Sequence, residues 1–256
     1  ALALAQRYAV AYGDLDTPEA VDRATMELEG LSRIKNIAHP GILTIHFHVV
    51  KSNRLILITD LARFTLGELF TRLRPRFPAV RRHAYAVHLL QSVARTLDYL
   101  QTQHDLLHLD IKPANLLLVG NECKIADFGT VFRLRPRQPG DSNVTLFHST
   151  SSDNNGIDLV VKYRSIMDIP WKEALRRDAS LRTFNGVCTP YYAPPEAHEG
   201  KSSRSFDQYS LAMTYCELVA GAIPFKKELQ FTARMQGRVD LTFLPDELRG
   251  IAAAQA

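Results

Sequence analysis

Two rhythms of apolar and polar positions divide this chain. Near the start, Tyr8-Ala9-Val10-Ala11-Tyr12 is a short apolar run closed by Gly13-Asp14, which predicts a strand and a turn. Thr17-Pro18-Glu19 then carries the signature of a helix start: Thr can cap orphan amides, Pro suits the first helical position, and Glu suits the positive end of the dipole. Val21, Ala24, Leu28, Leu31 and Ile34 follow at spacings of three and four, one apolar stripe, and His39-Pro40-Gly41 is expected to end that helix. The apolar, β-branched segments 42–50 and 55–59 flank Lys51-Ser52-Asn53-Arg54 and predict a hairpin.

After Asp60 the texture turns helical. Ala86, Leu90, Val93, Leu97 and Leu100 mark a long amphipathic helix, and residues 209–219 are apolar nearly all round, as a buried helix would be. Segments 116–119 and 123–126 read as two short strands around Gly120-Asn121. Residues 138–156, rich in Ser, Thr, Asp, Asn and Gly, are expected to form a mobile loop, and 171–181 a short helix. The pattern therefore predicts an α+β fold: a small strand-rich N-terminal part over residues 1–60 and a larger, mostly helical part over 61–256. Their seam lies near residues 60–65, the kind of cleft where ligands sit.

Composition narrows the class. The 256 residues suffice for a buried core, and no apolar run is long enough to span a membrane. The opening Ala1-Leu2-Ala3-Leu4-Ala5-Gln6 lacks Met, a basic n-region and a cleavage pattern, so we expect a piece of a longer chain rather than a signal peptide. Cys123, Cys188 and Cys216 are odd in number and far apart, which fits a reducing cytoplasm better than a disulfide framework. The formal charge of +4 is modest and no basic residues interleave with aromatics, so a nucleic-acid partner is not expected. Nothing in the pattern fixes an oligomeric state.

The strongest chemical signal is His108-Leu109-Asp110-Ile111-Lys112-Pro113-Ala114-Asn115. It resembles the catalytic loop of protein kinases, H-R-D-x-K-P-x-N. The spacing has a chemical reason: phosphoryl transfer needs a carboxylate to orient and deprotonate the attacking hydroxyl, a cation near the moving phosphate, and an oxygen ligand for Mg²⁺. By resemblance Asp110, Lys112 and Asn115 take those roles in order. Asp127-Phe128-Gly129, which follows a short apolar strand, resembles the kinase D-F-G, whose Asp reaches the Mg²⁺ that bridges the phosphates. Cys188-Thr189-Pro190-Tyr191-Tyr192-Ala193-Pro194-Pro195-Glu196 resembles the end of a kinase activation segment. By resemblance Thr189 packs on the catalytic loop, as in Ser/Thr-directed members, and Glu196 pairs with an Arg that in the family lies late in the C-terminal lobe, a region not obvious in this sequence. Asp207-Gln208-Tyr209-Ser210-Leu211 is similar to the segment whose Asp accepts backbone amides of the catalytic loop; a plain N-cap Asp is the alternative. Gly221-Ala222-Ile223-Pro224-Phe225 fits the same family pattern.

In the N-terminal part, Glu27-x-x-x-Leu31 and His39-Pro40-Gly41-Ile42-Leu43 resemble the family's regulatory helix and its exit, with Glu27 expected to point inward to a cation. Leu57-Ile58-Thr59-Asp60-Leu61-Ala62 resembles the strand and hinge that meet adenine. The resemblance implies Thr59 as gatekeeper, backbone groups of Asp60 and Ala62 on the purine, and Leu117 as the pocket floor. It thus implies ATP and Mg²⁺ as cofactors, and a protein bearing Ser or Thr as partner. The wording is most similar to Ser/Thr kinases of planctomycete-type bacteria.

The chain also departs from the family. No G-x-G-x-x-G precedes the first strand, where only a few residues stand before Tyr8, so that loop is either cut away or lost; Ala11 or Tyr12 stands where V-A-x-K carries its lysine, and Arg7 is the only nearby cation. Leu109 replaces the Arg of H-R-D, which removes the usual receptor for a phosphorylated loop. The stretch from Asp127 to Glu196 is long, so an insertion is placed around 131–185, carrying nine Lys or Arg against six Asp or Glu. Three functions compete: an active Ser/Thr kinase; a pseudokinase that binds nucleotide or scaffolds, favoured by the absent lysine; and an aminoglycoside-type phosphotransferase, disfavoured by Thr189 and the A-P-E-like segment.

Overall fold

The computed structural model describes residues 8–134, 144–146, 188–199 and 201–224. Its N-terminal part is a three-stranded antiparallel sheet. Strand β1 (Tyr8–Asp14) pairs with β3 (Arg54–Asp60), Tyr8 opposite Asp60 and Asp14 opposite Arg54, and β2 (Ile45–Lys51) pairs with the other edge of β3. The β2–β3 hairpin closes through Ser52 and Asn53 at φ 51° and 57°. Positive φ at both central residues gives a turn whose twist matches the flanking strands, and Asn tolerates that conformation. Leu55, Leu57 and Thr59 alternate into the interior.

Helix α1 (Pro18–Ile34) packs on this sheet, with the Thr17 hydroxyl accepting the Ala20 N–H at 3.2 Å. Leu31 and Ile34 are buried, and Ala24 and Leu28 pack against the core. Val21, expected on the same stripe, is 44% exposed, because the first turn lies beyond the core that the later turns reach. The helix ends at Ile34, five residues before His39-Pro40-Gly41. Proline forbids continuation but does not oblige a helix to reach it; here the Ile37 N–H bonds back to Ile34 O (2.8 Å) and the chain turns early.

The second part is helical. Strand β4 (Phe64–Thr65) leads into α2 (Leu66–Leu73) through a capping box: the Thr65 hydroxyl accepts the Glu68 N–H and the Glu68 carboxylate accepts the Thr65 N–H. Helix α3 (Ala79–His104) buries Ala86, Leu90, Val93, Leu97 and Leu100, the face the periodicity predicts. Strand β5 (Leu106–Leu107) precedes the candidate loop, β6 (Leu116–Val119) and β7 (Glu122–Ile125) form the expected pair, and β8 (Phe132–Arg133) pairs with β5. Residues 144–146, expected in a mobile loop, form strand β9 (Val144–Leu146), paired with β10 (Lys201–Ser203). The rest of that loop, the helix expected over 171–181 and most of the insertion around 131–185 lie outside the described residues. Helix α4 (Phe206–Ala220) packs on α3 and ends at Gly221, whose φ of 85° a glycine adopts freely.

Residues 61–63 join the two parts, with the Arg63 N–H bonded to Leu118 O (2.7 Å). Segment 41–43 adds a second connection, Ile125 N–H to Gly41 O (2.8 Å) and Leu43 N–H to Ile125 O (2.9 Å). A continuous core then runs from Leu31 and Leu57 through Val93 and Ile125 to Leu218. The fold is α+β and bilobal, as the pattern predicts. No helix among the described residues is long and apolar enough to cross a membrane.

Candidate active site

The loop after β5 is bent by Leu109 at φ 65°, a conformation costly for leucine, on the order of 1–3 kcal/mol. Two features hold it there. The buried Asp207 carboxylate accepts the His108 N–H at 2.7 Å and the Leu109 N–H at 2.8 Å. The Leu109 side chain fills a small apolar cluster with Ala193, Ala197 and Phe206. The departure from Arg at this position is thus a packing residue. Asp207 is not the cap of α4, which falls at Ser205; its oxygens serve the loop instead.

Asp110 lies at the centre, buried and fully hydrogen-bonded. Its Oδ1 accepts from the Thr189 N–H (3.0 Å) and hydroxyl (2.6 Å), and its Oδ2 from the Lys112 ammonium (2.7 Å) and the Asn115 amide (3.0 Å). Lys112 also donates to the Thr189 hydroxyl (2.8 Å). Burial pushes the Asp110 carboxyl up, but Lys112 beside it and the Thr189 hydroxyl outweigh burial and hold it below the ordinary carboxylate range. It is therefore ionised at neutral pH.

Asn115 closes the turn Pro113–Asn115 with its amide nitrogen on Asp110 O (2.9 Å) and Oδ2, while its backbone carbonyl accepts the Ala126 N–H at 2.9 Å. That bond draws Asp127, at φ 61°, to the cluster. His108, which the sequence reading did not single out, cements the same junction: its Nε2 lies 3.1 Å from Ala126 O, its ring meets Phe128 edge-on, and its carbonyl accepts the Thr130 hydroxyl (2.7 Å). Further down the segment the Ser203 hydroxyl donates to Glu196 at 2.5 Å, and the late segment 225–256, where an arginine partner would be sought, lies outside the described residues.

Among the described residues no group of three or more His, Cys, Asp or Glu could hold a metal alone. Mg²⁺ does not demand one, since it takes one or two protein oxygens and completes its shell with phosphate and water. Asn115 has its amide nitrogen committed to Asp110, which leaves the amide oxygen on the other branch, and Asp127 supplies a carboxylate. That donor set fits the cation.

Glu27 lies near Asp127, in the wall of a cavity of about 410 Å³ shared with Ala11, Arg23, Leu55 and Leu57. Ala11, one of the two positions where the family carries its lysine, shares that cavity with Glu27, and no lysine is among the described residues that line it. Burial, reinforced by the Asp127 carboxylate, pushes the Glu27 carboxyl up to about 7. Because the folded value lies above the ordinary 4.5, the folded state binds a proton the unfolded chain releases, and stability falls as pH rises from 4.5 to 7. The loss is at most roughly 3 kcal/mol. Glu27→Gln should unfold in urea much as wild type does at pH 4.5 and be more stable at pH 8; equal stabilities at pH 8 would mean that the charge of Glu27 costs nothing.

The remaining expected residues lie on β3, in the link and on β6. The Asp60 N–H bonds to Thr44 O, and its carbonyl accepts the Thr59 hydroxyl at 3.1 Å. Its carboxylate is tied to His46 of β2 (2.8 Å) and Lys124 of β7 (3.0 Å), partners invisible in the sequence. Ala62 sits two residues on, within the link. Leu117 lies on β6 on the face opposite the buried Leu116 and Leu118, paired with Thr65 and Lys124. One hydrogen-bonded cluster thus holds Asp110, Lys112 and Asn115; Asp127 and then Glu27 adjoin it, while Asp60 ends β3, Ala62 lies in the link and Leu117 lies on β6.

A strand-rich lobe and a helical lobe joined by a short link, with a carboxylate, an ammonium and an amide gathered beside the seam, define the class of kinase-like bilobal folds. Residues 6–151, more than half of the chain, match the family model described as the protein kinase domain. The chain belongs to the protein kinase family. It is similar to Aurora kinase of Schizosaccharomyces pombe, 27% identical over 84% of this chain and 49% of that protein. It is likewise similar to Aurora kinase A-A of Xenopus laevis, 29% identical over 82% and 40%. To 3-phosphoinositide-dependent protein kinase 1 of Arabidopsis thaliana it is 27% identical over 75% and 32%. The chain spans a third to half the length of these eukaryotic relatives.

Proposed function

We propose that this domain transfers the γ-phosphate of ATP to serine or threonine hydroxyls of proteins. The observation that carries the proposal is the buried, ionised Asp110, locked to Lys112, Asn115 and Thr189 in one cluster next to Asp127. In the proposed step Asp110 orients the substrate hydroxyl and takes its proton as the oxygen–phosphorus bond forms. The bond from the γ-phosphorus to the bridging oxygen breaks, and ADP leaves. Lys112 places a positive charge beside the transferred group. Asn115 and Asp127 would hold Mg²⁺, which supplies charge neutralisation along the phosphates. Backbone groups of Asp60 and Ala62, with Leu117 beneath, would seat the adenine, and Glu27 would flank the phosphate end.

The Thr189 contact with Asp110 and Lys112 supports a Ser/Thr target, in keeping with the kinds of kinase to which the chain is similar. The odd number and wide spacing of Cys123, Cys188 and Cys216 support a cytoplasmic setting, and the wording of the regulatory-helix and hinge segments supports a bacterial source of the planctomycete type. The test is incubation with γ-labelled ATP, Mg²⁺ and a generic basic protein, followed by phosphoamino-acid analysis. Label on serine or threonine is expected. Label on tyrosine alone, or none on protein, overturns the proposal.

A further inference from the structure

Gly30 stands in the interior of α1, where glycine costs about 1 kcal/mol relative to alanine. The packing shows why the position excludes anything larger. A Cβ placed on Gly30 would lie 1.9 Å from the Phe128 carbonyl oxygen and 2.5 Å from its carbon. These are backbone atoms, and they are pinned: the Phe128 carbonyl accepts the Val131 N–H (3.2 Å), while the Val131 carbonyl accepts the Arg33 guanidinium of the same helix (2.7 Å). Phe128 itself is buried against His108. On the reverse side the approach is looser, since a Cβ on Gly129 would meet the Glu27 backbone at an ordinary 3.6 Å. Carbon–oxygen contacts need ~3.3 Å, so alanine at position 30 must drive helix and turn apart by on the order of 1 Å.

We propose that Gly30 is a positioning residue, assisted by Arg33: it seats α1 directly on the backbone of the Asp127-Phe128-Gly129 turn and thereby sets where the Asp127 carboxylate stands relative to Asn115. The inference rests on the phosphotransfer reading for its consequence. A misplacement of this size can cost on the order of 10²-fold in rate. The loss should fall on the metal-dependent part of nucleotide binding and on turnover, because the close contact of Gly30 is with the turn that carries Asp127 and not with the link that would hold adenine.

The test compares Gly30→Ala, Arg33→Lys and Arg33→Met with wild type in the full chain. Three quantities are read: the melting temperature without ligand, the Mg²⁺-dependent increment of the ATP thermal shift, and the Mg²⁺ concentration giving half-maximal phosphate transfer. Gly30→Ala should lose most of the increment and raise the half-maximal Mg²⁺ by on the order of tenfold, with the ATP shift in the absence of Mg²⁺ unchanged. Arg33→Met should move the same way to a lesser degree, and Arg33→Lys should largely restore wild-type behaviour. If Gly30→Ala melts higher, as helix propensity alone dictates, with its Mg²⁺ dependence intact, the proposal fails. A lower melting temperature with intact Mg²⁺ dependence shows a merely structural role and also overturns it. A wild type that binds ATP with Mg²⁺ yet transfers nothing overturns the transfer reading alone, and the thermal-shift comparison still decides on Gly30. A wild type with no Mg²⁺ dependence overturns both.

Discussion

Asp110→Asn should lower phosphate transfer to protein by on the order of 10³-fold, the share commonly supplied by a positioned base. The substitution keeps the shape but removes the proton acceptor. It also turns an amide NH₂ toward a position now served only by donors: the Thr189 N–H and hydroxyl on one side, the Lys112 ammonium and the Asn115 amide on the other. One oxygen cannot satisfy both sides, so the cluster loosens as well as losing its base. The assay is transfer of labelled phosphate from ATP to a basic protein, with the Mg²⁺-ATP thermal shift as a control for folding and binding. Equal labelling by the variant and wild type would show that Asp110 is not the base.

Asp207→Ala should cost about 3 kcal/mol or more of folding stability, since it strands two buried amides at 1–3 kcal/mol each. One of those amides belongs to Leu109, which is held in the left-handed region. Without its acceptor the loop can relax that strain, and relaxation would carry Asp110, the next residue, out of the cluster. Activity should therefore fall together with stability. Asp207→Asn keeps one acceptor oxygen and should be intermediate. Equilibrium urea unfolding reads the first effect. A change within about 0.5 kcal/mol, the range of a surface substitution, would show that the loop does not depend on Asp207.

The legibility of this chain followed the range of its interactions. Local ones were written plainly: the Thr17 cap, the Ser52-Asn53 turn, the buried face from Ala86 to Leu100, and Asp110, Lys112 and Asn115, which lie within six residues and meet through the turn Pro113–Asn115. Asp207 and Thr189 were found only because the family resemblance ties distant segments together. Contacts with no such tie stayed hidden. Arg33 and Val131 are 98 residues apart, and Asp60 and Lys124 are 64 apart. Gly30 drew no notice in the helical pattern, and His108 was one letter of a motif, because the backbone each one touches carries no sequence signature. Leu109 read as a lost arginine until the apolar cluster around it was seen. Val21 matched the helical period and still faces outward, since periodicity marks a face but not how far the core extends along it.

Calorimetric titration of ATP with increasing Mg²⁺ into wild type, Asp127→Asn and Asp110→Asn tests most directly whether this cluster is built for a metal-bound nucleotide. Affinity should rise with Mg²⁺ in wild type and in Asp110→Asn, and should become indifferent to Mg²⁺ in Asp127→Asn. The same Mg²⁺ dependence in all three proteins, or none in wild type, would contradict the account.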